Sequence, residues 1–370
     1  MKKFISIVAL ASLSLGLAAA APQDGTAKLV AAQKERIAAY KSAPKKRSHV
    51  AFVSNGVADF WTIAKAGAIA AGKDKAIDCQ VTVEFPGGGL GDQKRMLEDL
   101  VIKGIDGISV SPIDPTNQAE VMNLVAEKSL LITNDSDAPN APRLCYIGMD
   151  NYDAGLMCGK LARDGCKGGK VAIFIGRLEQ DNAKRRRQGF IDGLLGRTPD
   201  PTRFDEPSKV FTEAGYTIVG TWTDSFDRAK AKANIEDVMI KHPDLALMTG
   251  LFEYNSTLAV EVIRQTGKEG KVQLAAFDEG ADVIAAIKEG FVLGTVVQDP
   301  YGYGYESVKV LNAFTKGDMS MVPANGIINI PAKVIKKDNA EAFWKDLKAK
   351  IKAGKEAGKE AGKEAGKDAK

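Results

Sequence analysis

Residues 53–67 read VSNGVADFWTIAKAG. An apolar run, VAFV, feeds into a polar loop, and Phe60 and Trp61 stand side by side ahead of small residues at helical spacing. Asp59 reads as the N-cap of that helix, which places both rings in its first turn, at the carboxyl end of the preceding strand. Successive helical residues point about 100° apart, so one face cannot bury both rings. At least one must face the crevice above the strand. Aromatic faces and polar side chains together make a small-molecule site, with apolar walls and a few aimed hydrogen-bonding groups.

The strand–loop–helix pattern repeats outward from this stretch. VTVEF, GISVSP, LLITND and CYIGMD follow the first strand, and after IGMDNYDAG the series restarts with KVAIFIG, YTIVGTW, LALMTG, VQLAAFD and VLGTVVQ. Amphipathic segments such as QKRMLEDLVIKG, RRRQGFIDGLLG and STLAVEVIRQTGK separate many of them. Short β-branched runs alternating with helices predict α/β architecture with parallel sheets covered on both faces. The restart, in a chain of 370 residues, predicts two doubly wound domains.

Both ends differ from this body. MKKFISIVALASLSLGLAAAA, with Lys2 and Lys3 ahead of an apolar stretch and an A-x-A site at Ala18–Ala20, reads as a signal peptide over 1–21. Residues 22–48 read as a polar, partly helical linker. The AGKE repeats within 341–370 read as a solvated, largely disordered tail. The net charge is +4, but 1–27, 28–48 and 345–370 carry +1, +6 and +4, which leaves −7 on 49–344. An acidic body argues against a nucleic-acid partner.

The chain has two histidines and four cysteines and no C-x-x-C, so neither a zinc site nor a His- or Cys-based catalytic pair is predicted. No cofactor is expected. Cys158 and Cys166 either pair across a helix end or stay as free buried thiols. PGGGLGD, 86–92, lacks the Lys-Ser/Thr of a phosphate loop and reads as a turn at the cleft edge. YGYGYES, 301–307, reads as an exposed segment with hinge glycines.

In doubly wound folds ligands bind beyond the carboxyl ends of the strands. Those positions hold Ser54, Asp135, Asn255, Asp278 and Gln298. Here the motifs become specific. Ser54 followed by Phe60-Trp61, Thr133-x-Asp135, Asn182-Ala183-x-x-Arg186-x-x-Gly189-Phe190, Phe226-Asp227-Arg228, Ala276-Phe277-Asp278 and Gln298 together resemble the periplasmic sugar-binding proteins of the ribose-binding type, over about 49–335.

The resemblance implies a monomeric, non-enzymatic two-lobe protein of the periplasm. A monosaccharide would sit in the cleft, and the permease of an ABC importer would be the partner. It implies a first lobe of 49–149 and 299–326, a second of 150–298 and 327–340, and three hinge crossings near Asp150, Asp299 and Gly326. Asp135 and Asp278 would accept sugar hydroxyls. Arg186 would donate to the sugar while pairing with an aspartate. Phe226 would stack opposite Phe60 or Trp61. Ser54, Asn255 and Gln298 would complete the rim, with Tyr254 second to Asn255. Ala58-Asp59 replaces the family's Asn-Pro, and Ser136 replaces the arginine of ribose binders, so the sugar is left unnamed. A sensory protein presenting sugar to a chemoreceptor or kinase would use the same cleft. An enzyme on the same scaffold is the weaker alternative.

Overall fold

The computed structural model describes residues 24–368, so the signal peptide read over 1–21 lies outside it. In chain order the elements are α1 (Asp24–Ser42), β1 (His49–Val53), α2 (Asp59–Lys73), β2 (Gln80–Glu84), α3 (Leu90–Ile102), β3 (Gly107–Val110), α4 (Ala119–Lys128), β4 (Leu130–Asn134) and β5 (Tyr146–Gly148). Then come α5 (Asn151–Gly165), β6 (Gly169–Ile175), α6 (Asp181–Leu195), β7 (Phe211–Glu213), β8 (Tyr216–Thr223), α7 (Arg228–Lys241), β9 (Leu245–Gly250), α8 (Glu253–Gln265), β10 (Gln273–Phe277), α9 (Ala281–Glu289) and β11 (Val292–Val297). The chain closes with α10 (Pro300–Phe314), β12 (Ile327–Asn329), β13 (Lys333–Ile335) and α11 (Ala340–Asp368).

Two sheets result, ordered β12-β5-β4-β3-β1-β2 and β13-β11-β10-β9-β6-β8-β7. Among the strands of the described residues, only β13 and β7 pair antiparallel, both at sheet edges. Set side by side, β1, β2, β3, β4 and β5 correspond to β6, β8, β9, β10 and β11, the same winding twice. Each sheet is covered on both faces. Val50 and Phe52 of β1 enter one core and Ala51 and Val53 the other, as the two-residue period of a strand requires. In β6, Val171, Ile173 and Ile175 face one core while Ala172 and Phe174 face the other.

Three sequence expectations change at the ends and crossings. Within the stretch read as a 22–48 linker, α1 lies on the first lobe, with Ile37 in its core. The buried Gln33 donates to Pro142 O (2.7 Å) and accepts from the Leu131 N–H (2.7 Å). The third crossing falls later than Gly326, because β12 pairs with β5 in the first sheet. Pro331, which has no N–H for a ladder, stands in the gap before β13.

The tail expected to be disordered begins as a helix, α11, whose Ala340, Phe343, Trp344 and Leu347 share one face. Farther on, Ala, Lys and Glu are good helix formers and offset part of the glycine penalty. The four cysteines are buried free thiols, which settles the Cys158–Cys166 alternative against a disulfide.

Candidate functional site

The two lobes bring equivalent strand ends face to face. Asp135 follows β4 and Asp278 follows β10, the corresponding strands. Both sit in the left-handed region, at φ of 56° and 60°. Both backbone N–H groups are held by the next strand, Asp135 to Ile147 O (3.0 Å) and Asp278 to Val296 O (2.8 Å). A non-glycine residue there costs conformational energy, and such strain gathers at functional sites. Each carboxylate is thereby turned off its sheet into the crevice between lobes.

Ser111 Oγ donates to Asp135 Oδ2 (3.0 Å), as does Asn55 Nδ2 at 3.4 Å. Gln298 Nε2 donates to Asp278 Oδ1 (2.8 Å). Burial raises the pKa of Asp135 from its ordinary 3.8 to about 6, against the pull of Arg186 and of the Ser111 hydroxyl. Asp278 is raised for the same reason and opposed by the same arginine. Arg186 acts on both aspartates, so the three share one space.

Arg186 is 1% exposed. Its Nε and Nη2 donate to Asn151 Oδ1 (3.3 and 2.9 Å) and its Nη1 to Leu251 O (2.8 Å), and Asp278 Oδ2 lies 3.8 Å from Nη1. The guanidinium lies between Phe277 and Phe252, 4.1 and 5.2 Å from their ring centroids. A guanidinium carries five N–H donors, so this set leaves donors for a bound hydroxyl. The helix that carries Arg186 is drawn close to α5 through glycines. A Cβ at Gly155, Gly159, Gly189 or Gly193 would overlap backbone of the facing helix.

The adjacent aromatics divide as one helix face demands. Trp61 is core, 4% exposed and 6.1 Å from the Phe52 ring. Its ring packs in the same core cluster as Phe52 of β1. Phe60 is half-buried and meets Tyr303 edge-on at 6.4 Å. Asp59 is not the N-cap. Ala58 holds that position with extended backbone and no side-chain bond, and Asp59 is the first helical residue.

Phe226 remains 41% exposed, at φ 66°. It packs with Phe252 (5.6 Å) and Tyr254 (6.3 Å) at the rim of the second lobe, and these rings are its aromatic neighbours in place of Phe60 or Trp61. Two further candidates support the site from behind. Ser54 is fully buried and its hydroxyl donates to Gly56 O (2.7 Å). Asn255 is fully buried and donates to Asp224 Oδ2 (2.8 Å). Asp224 in turn accepts from the Tyr254 hydroxyl and from the Phe226 N–H, which fixes the strained Ser225–Phe226 turn.

Several residues escaped sequence reading. Tyr303 belongs to a buried helix, not to an exposed hinge segment. Its hydroxyl donates to Gln298 Oε1 (3.1 Å) and accepts from the Met149 N–H (3.1 Å), tying two crossings together. Gly304 beside it serves helix contact, since a Cβ there would overlap Ala64 O of α2. Gln93 is fully buried. Its Nε2 donates to Ser54 O (2.6 Å) and Ser111 O (2.8 Å), and its Oε1 accepts from the Ile113 N–H and Gln118 Nε2. Glu253 opens α8, and its backbone N–H faces Asp278. Only Tyr303 carried a signal, its place five residues after Gln298. A Gln or Glu within a helix announces nothing. At the cleft mouth Gln180 Nε2 donates to Ile113 O (3.2 Å), a direct bond from one lobe to the other.

The periplasmic binding protein domain model matches residues 50–319. The chain belongs to that family. Among relatives by sequence, this family member is 22% identical over 251 residues to the D-ribose/D-allose-binding protein of Pseudomonas aeruginosa, covering 66% of this chain and 73% of that one. It is 23% identical over 226 residues to the ribose import binding protein RbsB of Salmonella typhimurium, covering 60% and 70%.

Among solved structures it is similar to GanP, a glucose-galactose binding protein from Geobacillus stearothermophilus (TM-score 0.69, 28% identity, 80% of this chain and 99% of that one). It is also similar to an ABC transporter solute binding protein from Burkholderia graminis in complex with D-arabinose (TM-score 0.69, 27% identity, 79% and 96%). The ribose-type resemblance and the two-lobe α/β fold read from the motifs are those of this periplasmic binding protein family, whose named relatives are binding proteins and not enzymes.

Proposed function

We propose that this protein captures a monosaccharide between its lobes and hands it to an ABC-type importer in the periplasm, after export through residues 1–21. The observation that carries the reading is the pair of left-handed aspartates, Asp135 and Asp278, at corresponding strand ends with Arg186 within reach of both. Ionised carboxylates accept hydroxyl hydrogen bonds strongly once water is excluded. Two carboxylates from opposite lobes reward a polyhydroxylated ligand for touching both, so binding favours closure. Arg186 supplies donors to ring or hydroxyl oxygens, and its own charge is offset by Asp278. Phe60 and Phe226 offer apolar faces to the C–H side of the ring, and Gln298 holds Asp278 in place. The sugar-binding names of the relatives support the ligand class, and their transporter names support the importer as partner.

The test is isothermal titration of the mature chain, residues 22–370, against pentoses, hexoses and deoxysugars, repeated with Asp135→Ala and Asp278→Ala. One sugar bound at micromolar Kd or better and lost in both variants is the expected result. A folded protein that binds none of the panel overturns the monosaccharide assignment.

A further inference from the structure

We propose that α11 is a strap that joins the two lobes and holds the molecule toward its closed arrangement. The helix leaves β13 in the second sheet, and its first turns are fixed to the second lobe. Ala340 is fully buried in that core, Phe343 and Trp344 pack against it, and Glu341 pairs with Lys288 of α9 (2.6 Å).

The same helix face then changes lobe. Leu347 is 5% exposed and lies with Ile63 of α2 along one cavity, whose walls also include Phe343 and the crossing residues Gln298 and Pro300. One turn on, Lys350 Nζ stands 5.9 Å from the ring centroid of Tyr301 on α10. From Ala340 to Lys350 a helix advances about 15 Å, so a rigid rod of that length is anchored at both ends in different lobes.

The segment lies beyond the stretch matched by the family model, which ends at 319. The lobes are joined by crossings around Met149–Asp150, Gln298–Asp299 and Ile330–Ala332, and rotation about these moves α2 relative to β13. A helix fixed to the second lobe must then slide over α2 or leave it, exposing Leu347 and Ile63. The contact therefore favours the arrangement in which Gln180 of the second lobe meets Ile113 of the first. A ligand that needs that arrangement gains apparent affinity in proportion to its population.

The test compares the full mature chain with Leu347→Asp, and with Leu347→Ala combined with Lys350→Glu in case the buried aspartate unfolds the protein. Small-angle scattering without sugar is the primary readout, because it does not depend on which ligand binds. The expected result is a wild-type curve fitted by the closed arrangement, a larger radius of gyration in folded variants, and, for any sugar that the wild type binds, about tenfold weaker affinity, or 1.4 kcal/mol. Identical scattering curves for folded variants and wild type overturn the strap, even if sugar binding is established. A panel without a binding sugar leaves the scattering test intact.

Discussion

At the scale of the residue, the proposed function has the cleft trade stability for binding. Asp135 is raised to about 6 by burial from an ordinary 3.8. Below the lower value it is protonated in folded and unfolded chains alike. Between the two values the unfolded chain releases the proton while the folded one keeps it, so this group's contribution to stability falls as pH rises. The loss is complete above the folded pKa and amounts to about 3 kcal/mol. Asp135→Asn should therefore abolish sugar binding by titration calorimetry and melt higher than wild type. That advantage should grow from pH 4 to 6.5 and then level off in thermal scans. Sugar binding, which uses the ionised form, should weaken in wild type as pH falls below 6. Gln93 acts differently, by joining loop ends that themselves touch the cleft. Gln93→Leu keeps much of the volume but strands Ser54 O, Ser111 O and the Ile113 N–H. A urea titration should show a loss of about 3 kcal/mol, from unsatisfied buried groups.

At the scale of the element, close helix pairs position the candidate binding side chains. The second lobe presses α6 on α5 and the first presses α10 on α2, both through glycine. A Cβ at Gly189 would overlap Tyr152 O, and one at Gly304 would overlap Ala64 O. Helix backbones at that spacing move only as units, so Gly189→Ala should cost about 3 kcal/mol by denaturant unfolding. It should also weaken sugar binding, since Arg186 rides on the displaced helix. Gly304→Ala should act through Tyr303, loosening its bonds to Gln298 and Met149. The glycine of the Arg-x-x-Gly-Phe motif was visible in the sequence, but its partner was not, because a close approach is a property of two helices.

At the scale of the whole molecule, the proposed function links ligand and lobes through one equilibrium. A sugar at 100 times its Kd should stabilise the protein by about 2.7 kcal/mol. The shift should appear in a thermal melt of wild type and vanish in Asp135→Ala and Asp278→Ala. The winding of each lobe followed from alternation of apolar runs, and so did the repeat that makes β4 and β10 equivalent. The docking of α1 and α11 did not. Their apolar positions are sparse among lysines, and only the surfaces beneath them make those positions decisive.

The sequence by itself determined the two α/β lobes, the strand ends that carry Asp135, Asp278 and Gln298, and the presence of Arg186, because period and motif are local properties of a chain. Tertiary structure alone decided which of two adjacent rings is buried in the core beside Phe52. It set Ser54 and Asn255 behind the site and brought Tyr303, Gln93 and Glu253 to it, and it bound α11 to both lobes. Each of those outcomes depends on what stands opposite a side chain across a crevice or a helix contact, and the two partners are often more than a hundred residues apart in the chain.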